Sequence, residues 1–169
     1  MKKIFLLLFV TILSTAIYAQ NTETQYYRYQ SEINGLCVNY PEGMKPTCDN
    51  ETTLEIDSDN ITFVATFNDA SKLSEKYMKD NLEKIIKKTG IDNNSITLLE
   101  LKNNKTIEGS LYIGANKKEN ADFYLIHGFV QSKISPQIAF QISIICTDLK
   151  AEEAGRILGT LEFYPEKIK

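Results

Sequence analysis

The side chains able to do chemistry in this 169-residue chain are few: one histidine, His127, and three cysteines, Cys37, Cys48 and Cys146. A single imidazole excludes a two-histidine zinc motif and any mechanism that shuttles a proton between two histidines. A nucleophile paired with His127 would be drawn from Ser110, Ser132, Ser143 or Cys146, with an orienting carboxylate such as Asp122, and no spacing in the sequence selects one of these sets. His127 alternates in phase with Leu125 and Phe129, the pattern of a buried or half-buried core histidine. Gly109, Gly114 and Gly128 form neither a phosphate-binding loop nor a dinucleotide fingerprint. Asp57, Ser58, Asp59 and Asn60 echo the start of a calcium loop. That loop needs glycine at its sixth position and glutamate at its twelfth, where this chain has Thr62 and Asn68, so the cluster reads as a hairpin turn. No catalytic, cofactor-binding or metal-ligating residue is therefore assigned, and no cofactor is expected.

Three other groups carry binding or redox expectations. Cys37 and Cys48 flank the turn-rich stretch NYPEGMKPT, so a hairpin could set them face to face as a disulfide, closing a short loop; three unpaired thiols are the alternative. Cys146, inside QISIICTD, reads as a core thiol. Tyr26, Tyr27 and Tyr29 around Arg28 are the most aromatic surface candidate, either strand packing or a platform for a partner. Lys79, Lys84, Lys87 and Lys88 read as a solvated helix face, because the chain as a whole is acidic and nucleic acid would be repelled.

These residues need elements to position them. Alternation predicts strands over YYRYQ, GLCVNYP, TTLEI and ITFVATF, an antiparallel series across residues 26–67. The period then changes: Leu73, Tyr77, Met78, Leu82, Ile85 and Ile86 form one helical stripe between Ser71 and Thr89. Asp69 or Ser71 would cap it and Gly90 would stop it. SITLLEL, TIEGSLYIG, ADFYLIHGFVQ and PQIAFQISIIC follow as strands. The last two are apolar on both faces, which implies a sheet covered on both sides. A second helix is expected over Ala151 to Leu158, with Asp148 as its cap. The expectation is an α+β fold: a central antiparallel sheet of about six to eight strands with one helix on each face, an α/β/α sandwich, in a single domain over residues 20–169.

Overall composition is that of a globular chain, 43% hydrophobic and 24% charged, with 19 basic and 22 acidic residues, which argues against a disordered tail or a strongly basic nucleic-acid binder. Residues 1–19 stand apart. Lys2 and Lys3 precede an apolar run from Ile4 to about Ile17 and then Ala19, the layout of a signal peptide cut after Ala19. The run is too short for a permanent membrane span, and the first cysteine, Cys37, is too distant for a lipid anchor at the cut. Without Lys2 and Lys3 the count becomes 17 basic against 22 acidic residues, a net charge of −5. The mature chain is expected in the periplasm or outside the cell, with no membrane anchor.

The order of elements resembles the PsbP-like and DcrB-like proteins, an α/β/α sandwich family. The matching pieces are YYRYQ, then NGLCVNYPEGM, the helix after ITFVATFNDASKLSEKYM, and the closing AGRILGTLEF, together spanning about residues 26–164. Met44 stands where the family often has tryptophan, and this leader lacks the acceptor cysteine of lipid-anchored relatives. The resemblance implies non-catalytic work such as assembly support, binding of the GTPase Ran, or chaperoning of secreted effectors, and it carries no shared catalytic motif. The reading is an exported, non-enzymatic accessory protein of the cell envelope that holds a protein partner. A small-ligand carrier with an apolar groove and a small hydrolase with an unrecognised site are the alternatives.

Overall fold

Ten strands and two α-helices are present in the computed structural model, which describes residues 24–101, 104–116, 123–147 and 151–165. The leader expected over residues 1–19, the carboxylate of Asp122 and the cap expected at Asp148 lie outside the described residues. The strands are β1 (Tyr26–Gln30), β2 (Leu36–Pro41), β3 (Lys45–Asp49), β4 (Thr53–Asp57) and β5 (Ile61–Asp69), then β6 (Thr97–Glu100), β7 (Ile107–Asn116), β8 (Phe123–Ser132), β9 (Ile138–Thr147) and β10 (Glu162–Phe163). Helix α1 spans Glu75–Thr89 and α2 spans Ala151–Gly159.

Seven strands make one antiparallel sheet in the order β3-β4-β5-β9-β8-β7-β6. The two-sided apolar runs of β8 and β9 occupy its centre, as their composition requires. The α+β class and the helix-covered antiparallel sheet agree with the sequence. One part of the expectation is corrected. The strands of residues 26–67 do not form one series, because β1, β2 and β10 make a separate three-stranded sheet. The chain leaves that sheet through a turn at Pro41, where Gly43 adopts φ 93° and Met44 N–H donates to the Pro41 carbonyl.

On one face of the large sheet lie α2 and the small sheet, and between them sits the main core of Leu36, Ile56, Phe63, Phe140, Ile157 and Phe163, all fully buried. Phe140 meets Phe163 at 5.1 Å and Phe67 edge-on at 4.9 Å, separations at which aromatic pairs add to plain area burial. Helix α1 covers the opposite face over β8. Its amphipathic stripe is only half-buried, and no residue of α1 is fully enclosed.

Helix α1 starts later than its stripe indicates. Asp69 does cap, but it caps a single 3₁₀ turn at Ala70–Lys72. Ser74 caps α1 itself, its Oγ accepting from Tyr77 N–H at 3.2 Å, and Gly90 ends the helix in the left-handed conformation with φ 70°, where glycine carries no steric cost. Among the described residues no helix is long and apolar enough to cross a membrane.

Candidate functional site

The half-buried seating of α1 leaves a solvent-open groove of about 750 Å³ between the helix and the β6–β7–β8 side of the sheet. Strand alternation decides what lines it. Residues 110 and 112 of β7 and 127 and 129 of β8 point toward the helix, while Leu111, Ile126 and Val130 point into the main core. Met78 and Leu82 of α1 and Phe129 of β8 supply apolar walls. Among the described residues Glu75, Glu100 and Glu108 bring three carboxylates to the groove against one ammonium, Lys79, which also lies 4.0 Å from Glu83.

His127 borders the groove with 1% of its surface exposed. Its Nε2 lies 2.8 Å from Asn81 Oδ1 on α1, and its Nδ1 lies 2.8 Å from Ser143 Oγ on β9. An amide oxygen only accepts, so Nε2 carries the proton and Nδ1 accepts from the Ser143 hydroxyl. Asn81 Nδ2 faces Gln141 Oε1 at 3.5 Å, in keeping with that amide orientation. Burial disfavours the imidazolium and pushes the histidine down to about 4. The sequence placed Ser143 among four possible nucleophiles, and the structure brings it, alone of the four, within hydrogen-bond reach of the ring. The third member is the amide Asn81 rather than a carboxylate. With both nitrogens engaged, the ring closed off and its basicity lowered, this chain of contacts couples α1 to β8 and β9. It is not poised as a general base, which needs an accessible nitrogen and a pKa near the working pH.

The tyrosine surface is less open than its composition indicates. Tyr29 Oη donates to Asp49 Oδ2 at 2.7 Å, and burial together with this carboxylate pushes the phenol up to about 12. Arg28 forms an ion pair with Glu162 at 2.7 Å. The Arg156 guanidinium lies 5.7 Å from the Tyr26 ring centre, within cation–π range. Tyr27 alone of the three tyrosines is well exposed. β1 thus has Tyr26 and Tyr29 half-buried and Tyr27, Arg28 and Gln30 exposed.

No disulfide joins the cysteines. The hairpin expected to bring Cys37 and Cys48 face to face does not form, because Cys37 lies buried in β2 of the small sheet and Cys48 in β3 of the large one. Cys146 is buried in the main core, as its apolar run indicates. The hairpin expected at residues 57–60 joins β4 to β5, and Asp57 there accepts from Thr62. Sequence reasoning missed the lining carboxylates Glu75, Glu100 and Glu108, and beside the groove Asn81, which bonds His127, and Leu98, which pairs with Tyr112. Asn81 had a signal, as a polar residue four places after Tyr77 on an otherwise apolar stripe. The carboxylates had none, because their convergence depends on which strands pair.

No known protein family matches this chain in sequence, and no curated protein does. The solved structures to which this chain is similar at low identity include the following two. One, a protein from Bacteroides thetaiotaomicron, is 17% identical with a TM-score of 0.44; the match covers 86% of this chain and 50% of that one, so this chain spans half of that protein's length. The other is the Ran-binding protein Mog1p of Saccharomyces cerevisiae, 10% identical, with a TM-score of 0.52 over 86% of this chain and 99% of that one. The likeness to Mog1p is one of fold, an antiparallel sheet with helices in an α+β arrangement.

Proposed function

We propose that this chain is an exported, non-enzymatic accessory protein of the cell envelope that holds a protein partner in the groove beside α1. The observation that carries this reading is the groove itself. It is open and walled by Met78, Leu82 and Phe129; the exposed Tyr77 (42%) packs against Phe129 and the exposed Leu98 (52%) pairs across from the lining residue Tyr112, whereas the groove's imidazole is tied to Asn81 and Ser143. Clustered exposed apolar groups beside a concavity mark interaction sites. Mog1p, named for binding another protein, has this fold, which makes the reading compatible with the architecture without supplying the partner.

Photo-crosslinking residues placed at Tyr77 and Leu98, and at the exposed Ile33 in the β1–β2 turn and Ile134 in the β8–β9 turn, test this in the native cell. A discrete protein adduct at the first pair and none at the second is the expected result, and the same adducts at all four positions would reject the groove as the contact. N-terminal sequencing of the exported chain is expected to begin at Gln20, and a start at Met1 would reject export by cleavage. A second reading, an apolar ligand carrier, is favoured by one observation: the groove volume lies in the range of small-molecule sites, about 300 to 1,000 Å³. A small molecule retained in native mass spectrometry, without crosslinks at Tyr77 and Leu98, would shift the assignment to it.

A further inference from the structure

Resting on that reading of the groove, we infer that its occupant is an extended, basic protein segment that adds as a strand to the outer edge of β6. The two sheets end in β1, β10, β3 and β6, each paired on one side only among the described residues; β10 is two residues long and its Phe163 N–H already donates to Thr106 Oγ1, so it offers little edge. An unpaired edge is a template for another strand unless it is blunted. β3 carries Lys45 and Pro46 and a register shift between Pro46 and Cys48, all features that resist pairing. The side chains of β1 are held by Asp49, Glu162 and Arg156, as described above. β6 is four residues long and ends in Glu100, but it carries no proline, no lysine and no break in its register against β7, which leaves it the least protected of the longer edges.

The register also shows which backbone groups face outward. Leu101 N–H donates to the Gly109 carbonyl, so residues 97, 99 and 101 bond to β7. In an antiparallel ladder the alternate residues, Leu98 and Glu100, then direct their N–H and C=O groups away from β7. Their side chains stand on the helix-side face, opposite Tyr112 and Ser110, beside the groove. A strand laid along β6 would therefore put every second side chain over the groove. There it meets Glu100 and Glu108, with Glu75 across the groove on α1. Lys133 shares Glu108 at 3.9 Å, and Lys79 is the one ammonium among the described residues lining the groove. Among those lining residues three carboxylates face one ammonium, so lysine or arginine at alternate positions is the complementary pattern. A second copy of this chain would set one acidic rim against another, which disfavours self-pairing at this edge.

Selection of phage-displayed random nine-residue peptides on the mature chain tests the inference. The expected winners carry Lys or Arg at alternate positions, and a synthetic winner binds more weakly as salt rises. Two variants localise the contact. Leu98→Pro removes an outward N–H without breaking a bond to β7, and the double charge reversal Glu100→Lys with Glu108→Lys leaves the backbone untouched. Each is expected to weaken the winner by about tenfold or more, with the thermal midpoint of the double variant reporting that the fold is retained. Recovery of no peptide, winners that are acidic or helical, or unchanged binding by the double variant would overturn the proposal. So would a dimer in sedimentation that Leu98→Pro dissolves, because a second copy would then be the occupant. If crosslinking at Tyr77 and Leu98 still captures a discrete protein while these tests fail, the groove binds a partner but not in this manner.

Discussion

His127 decides how this protein responds to acid. The folded state holds the imidazole neutral down to about pH 4, against an ordinary value of 6.5. Between those values the unfolded chain binds a proton that the folded chain does not, so stability rises with pH across the window and is lost as pH falls from about 6.5 toward 4. The full effect is on the order of 3 kcal/mol. Denaturant titration of the wild type and His127→Gln at pH 7 and pH 4.5 should show the wild type losing about 2 to 3 kcal/mol more than the variant. Equal losses would mean that the folded protein admits the proton. The burial of His127 was legible, because it alternates with Leu125 and Phe129. Its partners were not: Ser143 becomes a neighbour only through the pairing of β8 with β9, and Asn81 only through the seating of α1.

At the scale of elements, strands were legible wherever alternation was strong, and they failed where a strand exists because of its neighbour. Lys45–Asp49 contains a proline and no apolar alternation, yet it pairs with β4. The start of α1 was ambiguous for a related reason, since Asp69 and Ser74 are both sound caps and sequence does not say which closes a single turn. Glycine in β8 has a cause that only the pairing exposes. A Cβ on Gly128 would lie 2.3 Å from the Ser110 carbonyl oxygen and 2.8 Å from Leu111 Cα. These are backbone atoms of the neighbouring strand, so relief requires β7 and β8 to separate locally. Gly128→Ala is expected to destabilise by about 1 to 3 kcal/mol, the usual range for overpacking, measured as a lower denaturation midpoint. An unchanged midpoint would show that β7 and β8 can spread without loss.

Across the whole molecule the unforeseen feature is the division into two sheets, and Asp49 is one place where they are joined, the Phe163 N–H bond to Thr106 Oγ1 being another. The Asp49 carboxylate accepts from Tyr29 Oη, from Ser31 Oγ at 2.8 Å and from Asn34 Nδ2 at 3.2 Å, three donors on or beside the small sheet meeting one acceptor on β3. Tyr29→Phe removes one charge-assisted bond and leaves two, for an expected loss of about 1 to 2 kcal/mol at neutral pH. The tyrosine's advantage is fully present below its ordinary value of 10 and is lost as pH rises toward about 12. Equal stability of the two proteins at pH 7 would show that Ser31 and Asn34 suffice. The hydrophobic pattern foretold enough apolar strands for a covered sheet. It did not foretell the split, because alternation reports which face of a strand is buried and not against what.

The two helices complete the molecule unequally. α2 sinks Ala154, Ile157 and Leu158 into the main core, whereas α1 encloses no side chain fully and meets the sheet through half-buried residues and the Asn81 contact to His127. No residue of α1 is fully buried, so its opening is expected to cost less than global unfolding, and its amide hydrogens are expected to exchange faster than those of β8 and β9. On that expectation the groove beside α1 varies in width, and an occupant can select the openings that fit it.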